Sequence, residues 1–408
     1  MKVLFLNYID ESGAGKACLK IVESLKKKIK CDYKVKIKIK NNNCSKTIDH
    51  KNPIKIENYK KKFNRIFSRL ANKKIKSFQS PSLFSSNYYK FINDSDYDLV
   101  HLVWINGLLS IEDIGKINKP IVWTFADMWP FTGINHYDTD NNNAFWKKKN
   151  FLTFKKNNLI NFDRYLLEKK ILNWNNVDLN IVTPSKWLKI CCNKSQLFYK
   201  KKINTIPWPI DLNVFKKKNK TKSRKKLKLP LRKKLIVFGC MNGLYDHRKG
   251  WDLLSRSITI NQDDFEIIIF GTGKPKNFKS NFKQKIHWMG KINNPKKISE
   301  IFSASDVLAL PSRYDNLPQI GMEAQACGLP ILSFEIGGIS EMIHHKKNGY
   351  IAKKFSIKNF SKGLSWLIKN NSNKIIRANT KLANTKYDST KIANDYIKLY
   401  KKILGIKK

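Results

Sequence analysis

The sequence predicts an α/β protein of two domains, and three observations lead there. Short apolar runs bounded by turn residues alternate with helical patterns of three to four turns, the habit of open sheets with parallel strands. The alternation restarts beyond Ile210. A chain of 408 residues is also too long for one small core and fits two domains of ordinary size.

Taken in order, the first half offers strands at Val3–Asn7, Val35–Ile39, Leu99–Val103, Ile121–Phe125 and Leu179–Pro184. The second half offers Leu235–Gly239, Phe265–Gly271, Ile286–Met289, Val307–Pro311 and Ile331–Phe334. Between the sets, Lys216–Lys234 is an almost uninterrupted polar run, read as an interdomain connection followed by a helix, which puts the boundary near Ile210. Ile392–Ile403 reads as an amphipathic helix. Two similarly wound domains are expected to face each other across a cleft, with ligand sites at the carboxyl ends of the strands.

Hydrophobic residues make up 41% of the chain, which is globular rather than disordered composition. The 80 Lys+Arg against 31 Asp+Glu give a net charge of +49, which invites anionic company: nucleic acid, an anionic membrane surface or phosphorylated small molecules. The alternative is a lysine-coated solvated surface, because lysine clusters such as Lys26–Lys28, Lys147–Lys149 and Lys216–Lys218 recur throughout. A nucleic-acid binder needs a concentrated basic face or a stacking motif, and the sequence shows no such motif, so no nucleic-acid partner is expected. Seven scattered cysteines without a CxxC pair argue against a disulfide framework or a zinc site, and for a reducing compartment. No apolar run suits a signal peptide or a membrane span, so a cytoplasmic protein is expected, peripheral to a membrane at most.

The chemistry concentrates in a few segments. In SRYDNLPQIGMEAQACGLP, Ser312–Pro330, a strand gives way to a loop bearing Asp315 and Asn316. Pro318 then suits the first turn of a helix that Gly328 closes. The amides around Leu317–Ile320 offer a site for anions or sugar hydroxyls, and Asp315 and Glu323 can accept from vicinal diols. Two solvated carboxylates are the plain alternative. In FGCMNGLYDHRKGWDLL, Phe238–Leu254, Arg248 and Lys249 precede a helix, an unfavourable place for cations unless an anion is held there. In ESGAGK, Gly13 and Gly15 either make the turn alone or let the backbone approach a phosphate. In TFADMWPFTGINHY, Thr124–Tyr137, Trp129 and Phe131 either offer stacking faces to a sugar or pack in the core.

Together these segments resemble retaining glycosyltransferases of the GT-B fold, in particular group 1, family 4 members of the polysaccharide-biosynthesis type. Asp315 stands in the place of the first glutamate of the EX7E signature and Glu323 in that of the second, and EAQACGLPILSFEIGGISEMI is similar to the continuation. The resemblance implies an N-terminal, acceptor-side Rossmann-like domain over 1–210 and a nucleotide-sugar-binding one over 211–385. It also implies a C-terminal helix, 386–408, packing back on the first domain. It implies that Lys249 binds the donor diphosphate with Arg248 in support, that Glu323 binds the ribose and Asp315 the transferred sugar. Asn316, Leu317, Pro318, Gly13, Gly15, Asp127 and His136 become substrate-binding positions. No cofactor or obligatory metal is implied; the partners are a nucleotide sugar and a saccharide or lipid-linked acceptor of surface polysaccharide biosynthesis. The basic piece Trp146–Trp174 either rests on an anionic membrane or is a packed helix pair. The chain departs from the pattern at Cys240, where an arginine is frequent, at Ala126, where histidine is usual, and at Trp208 and Pro209 in place of asparagine-glycine. Ala126 keeps a non-catalytic, sugar-nucleotide-binding scaffold open as the alternative.

Overall fold

Two separate parallel sheets organise the chain, seen in a computed structural model that describes residues 1–38, 45–48, 78–138, 144–148, 162–241 and 243–406. One unit comprises Met1–Pro209 and Thr390–Lys408, the other Ile210–Ser389.

In the first unit the strands are β1 (Lys2–Ile9), β2 (Lys30–Ile37), β3 (Ser45–Thr47), β4 (Leu99–Leu102), β5 (Ile121–Thr124), β6 (Leu179–Thr183) and β7 (Ile203–Thr205). They lie in the order β3-β2-β1-β4-β5-β6-β7 with parallel pairing throughout. Helices α1 (Gly13–Leu25), α2 (Tyr88–Asp94), α3 (Ile111–Gly115), α4 (Phe162–Trp174) and α5 (Lys186–Asn193) connect them. The second unit runs α6 (Lys220–Lys226), β8 (Lys234–Gly239), α7 (Trp251–Thr259), β9 (Phe265–Phe270), β10 (Ile286–Trp288), α8 (Pro295–Ala304), β11 (Val307–Leu310), α9 (Gln319–Ala326), β12 (Ile331–Phe334), β13 (Gly349–Ala352), α10 (Ile357–Asn370) and α11 (Asn373–Lys386). Its parallel strands lie in the order β10-β9-β8-β11-β12-β13. In each sheet the chain order reverses once, between β1 and β4 and between β8 and β11. Crossovers leave such a point in opposite directions and open a crevice at the carboxyl ends of the two strands.

The strands read as apolar runs because both of their faces are covered. Val3–Leu6, Leu235–Val237, Ile267–Ile269 and Val307–Ala309 are fully buried. Beneath the first sheet, Trp123 and Trp174 meet edge to face at 5.2 Å. Each buried indole N–H finds an acceptor, Trp123 on the Val103 carbonyl and Trp174 on that of Ile111. Apolar burial of such side chains is worth about 1.5–3 kcal/mol each.

The C-terminal helix Ser389–Ile403 docks on the first sheet through a buried polar cluster. His101 Nδ1 lies 2.6 Å from the Tyr400 hydroxyl, His101 Nε2 lies 2.8 Å from Thr124 Oγ1, and the Tyr396 hydroxyl lies 3.1 Å from the same oxygen. Burial lowers the His101 pKa to about 3, so the imidazole stays neutral in the fold.

Three strands escape sequence reading: β3, β7 and β13. The strand expected at Val35–Ile39 starts earlier and ends at Ile37; Ile39 lies outside the described residues. The polar run Lys216–Lys234 is no linker. The chain passes between units at Pro209 and Ile210, and α6 lies inside the run. Arg224 of α6 is 3% exposed. It donates to the carbonyls of Ala304, Pro230, Leu231 and Lys233 and to Asp306, anchoring the run to the second unit.

Candidate functional site

The second switch point gathers the charged residues that the sequence singles out. After β8, residues His247–Lys249 make one turn of 3-10 helix, begun by Asp246, whose carboxylate accepts the Arg248 N–H at 3.0 Å. Gly250 follows with φ +71°, and a Cβ there would collide with the Pro311 carbonyl oxygen at the end of β11. A glycine is what lets the two loops touch. The contact brings Arg248 and Lys249 to the loop after β11, where both donate to Asp315 Oδ2, at 3.2 and 3.0 Å. Asp315 Oδ1 accepts the Asn316 N–H at 3.1 Å. Gly337 closes the far side, since a Cβ there would meet the Asp315 carbonyl.

Burial pushes the Asp315 carboxyl upward, but the Lys249 and Arg248 charges outweigh it and hold the group below its ordinary range. The Lys249 ammonium is lowered by burial first and by the Arg248 charge second, with Asp315 offsetting part of both. Two cations against Asp315 and Asp246 leave this cluster neutral as it stands. Neither adjoining helix carries a side-chain cap. Helix α7 begins at Gly250, and α9 at Pro318, which occupies the N-cap rather than the first turn. Within their first turns the Leu253 and Gly321 N–H groups donate to the carbonyls of Gly250 and Pro318.

Asn316 and Leu317 are buried in the same loop, whereas Glu323 is half-buried on α9, a turn beyond the start of the helix. Cys240 is 2% exposed and its thiol is pushed up to about 12 by burial, so this position supplies no charge.

The first switch point is built differently. Gly15 packs against the end of β1, where a Cβ would collide with the Ile9 carbonyl, and its N–H donates to Ser12 Oγ at 3.0 Å. Gly13 has open space around it. Asp127 and His136 do come together: His136 Nδ1 lies 2.5 Å from Asp127 Oδ2, and Trp104 Nε1–H donates to the same oxygen at 3.2 Å. His136 Nε2 lies 2.9 Å from Ser80 Oγ. Trp129 and Phe131 are fully buried, which settles them as core and not as stacking faces. Lys170, on α4, is wholly buried under this loop. Its ammonium donates to the carbonyls of Trp129, Thr132 and Gly133 at 2.6–3.0 Å and sits 3.7 Å from the Trp129 ring centre. Of the basic piece Trp146–Trp174, residues 149–161 lie outside the described residues; in α4, Leu166, Leu167 and Trp174 face the core. No helix among the described residues is long and apolar enough to cross a membrane.

Against known proteins, residues 219–384 match the family described as glycosyl transferases group 1. The glycogen synthase of Streptococcus sanguinis is 32% identical over 169 residues, covering 38% of this chain and 34% of that protein. An uncharacterized glycosyltransferase of Haemophilus influenzae is 29% identical over 126 residues, covering 30% of this chain and 35% of that protein. The chain thus spans about a third of the length of these curated relatives. Among solved structures, sucrose-phosphate synthase from Thermosynechococcus elongatus aligns over 100% of both chains with a TM-score of 0.72 at 14% identity. Anabaena HepE in complex with UDP aligns over 98% of this chain and 100% of that one, at TM-score 0.68 and 12% identity. It has also been solved with UDP-glucose. At such identities the structural likeness speaks to fold alone, and the fold it shows is the GT-B one, with two Rossmann-like units. The match to the group 1 glycosyl transferases falls on residues 219–384, within the second unit.

Proposed function

We propose that this chain transfers a sugar from a nucleotide-diphosphate donor to a saccharide or lipid-linked acceptor, with retention at the anomeric carbon. The observation that carries the reading is the convergence of Lys249 and Arg248 on one carboxylate at a switch point flanked by two helix starts that lack side-chain caps. A diphosphate entering there takes over the two cations and lies at the positive ends of two helices. As the bond from the anomeric carbon to the β-phosphate oxygen breaks, these groups stabilise the charge growing on the leaving diphosphate. The new bond forms from the acceptor oxygen on the same face, and its proton passes to the departing phosphate oxygen, so no protein base is required. Glu323 takes the ribose and Asp315 the transferred sugar. Anabaena HepE, which shares the fold, binds UDP and UDP-glucose; a role in surface polysaccharide assembly and independence from metal complete the proposal.

The test is slow donor hydrolysis with UDP-, GDP- and ADP-glucose, followed by proton NMR of the released sugar. Nucleoside diphosphate should appear together with the α-anomer first, and Lys249→Ala should abolish both. Early β-anomer would overturn retention. Binding without release would favour a scaffold, the reading that Ala126 keeps in view.

A further inference from the structure

Arg313, on the loop after β11, makes no ion pair with Asp315, yet it is tied in three ways to the turn that carries Arg248 and Lys249. Its backbone N–H donates to the Arg248 carbonyl at 2.8 Å. Its guanidinium donates to the His247 carbonyl at 2.8 Å. The same guanidinium grips Asp252, in the first turn of α7, with two bonds of 2.8 and 2.6 Å, one to each carboxylate oxygen. One residue thus holds the turn at two successive carbonyls and, across Gly250, the helix that follows it. Arginine suits this place and lysine does not, because only the planar guanidinium presents paired N–H groups to a carboxylate while reaching a carbonyl beside it. The hydrogen bonds from Arg313 hold the Asp252 carboxyl below its ordinary range, so the pair is charged at neutral pH.

These contacts matter once a ligand arrives. In the free protein Asp315 also holds the turn, by accepting from Arg248 and Lys249. A diphosphate that takes over those cations removes that hold, while His247, Arg248 and Lys249 follow one another as three basic residues. The contacts of Arg313 engage carbonyls and Asp252, none of which a phosphate displaces, so they outlast the hold of Asp315. Asp252 is exposed and Arg313 half-buried, and an ion pair so placed adds little to stability. What it supplies is position, because cations stabilise a growing charge most when they are already aimed at it.

We propose that Arg313, through Asp252 and the carbonyls of His247 and Arg248, is a positioning residue that keeps Lys249 and Arg248 aimed at the leaving diphosphate once Asp315 has released them. The inference rests on the glycosyl-transfer reading above. Its test is steady-state hydrolysis of whichever of UDP-, GDP- and ADP-glucose the parent accepts, with nucleoside diphosphate affinity measured by calorimetry on the same samples. Arg313→Ala should lower kcat about tenfold and change that affinity less than threefold, because cations on a looser turn still find a bound anion but not the transition state. A residue that only stabilised the fold would leave kcat per folded molecule unchanged. Arg313→Lys keeps the charge and loses the fork, and should stay about fivefold below the parent. Asp252→Ala should cost several-fold, and the double variant about as much as Arg313→Ala alone. Lys233→Ala breaks an exposed pair with Asp264 in the same unit and should match the parent, which controls for the loss of a surface ion pair. This inference alone falls if the parent turns over donor and Arg313→Ala matches it, if Arg313→Lys restores kcat in full, or if the losses of Arg313→Ala and Asp252→Ala multiply in the double variant. A parent that neither binds nor hydrolyses any of the three donors overturns the transfer reading, and this inference with it.

Discussion

At the end of β1 the following helix is closed by its own sequence: Ser12 Oγ takes the Gly15 N–H, and buried Asp10 and Glu11 precede it. At the end of β8, the matching place in the second unit, the helix opens at Gly250 with no side-chain cap, and Arg248 and Lys249 precede it. One strand order therefore carries two differently charged sets of loops, because the crevice comes from topology and its charge from a handful of loop residues. The net charge of +49 explains neither crevice. The second is locally balanced by Asp315 and Asp246, and the first lacks cations on its strand-end loops.

The sharpest way to break the contrast is Lys249→Ala, which should lower donor turnover by about 10²–10³-fold, the effect of removing one group that stabilises transition-state charge. Equal turnover in variant and parent would erase the distinction between the two crevices. Next in size is Lys170→Met in the first unit. It leaves the carbonyls of Trp129, Thr132 and Gly133 without their donor, and urea denaturation should show a loss of about 3 kcal/mol with UDP binding unchanged.

A pH effect follows, also confined to the first unit. The folded state keeps His101 neutral down to about pH 3, whereas the unfolded chain takes up a proton near the ordinary value of 6.5. Its contribution is therefore complete above pH 6.5 and is lost as the pH falls toward 3, by about 2 kcal/mol between pH 6.5 and 5. His101→Gln should flatten this part of the stability curve; an unaltered curve would remove His101 from the account. The smallest expected change sharpens the second crevice. Asp315→Asn takes away the carboxylate that occupies both cations, so UDP should bind several-fold more tightly, about 1 kcal/mol, while sugar transfer slows. Weaker UDP binding would mean that Asp315 orients the cations more than it competes for them.

Much of the architecture was legible because buried parallel strands are nearly continuous apolar runs. The strands that escaped, SKT in β3, INT in β7 and GYIA in β13, are three or four residues long and give no periodicity to read. Arg248, Lys249 and Asp315 were legible as a candidate site because they lie on the loops that follow apolar runs. Their direct ion pairing was not, since nothing in the order of residues shows that Gly250 draws the two loops together. Lys170 left no trace in a lysine-rich chain, where a charged residue on a helix reads as surface. Of the two readings of the aromatic residues in the TFADMWPFTG segment, sugar-stacking faces or core, burial of Trp129 and Phe131 fits core.

The most direct measurement is calorimetric titration of the full chain with UDP, GDP and ADP, repeated on Lys249→Ala. At least one nucleoside diphosphate should bind the parent and lose tenfold or more in affinity, about 1.4 kcal/mol, in the variant. Failure of all three to bind, or equal binding by both proteins, would contradict a diphosphate held at Lys249.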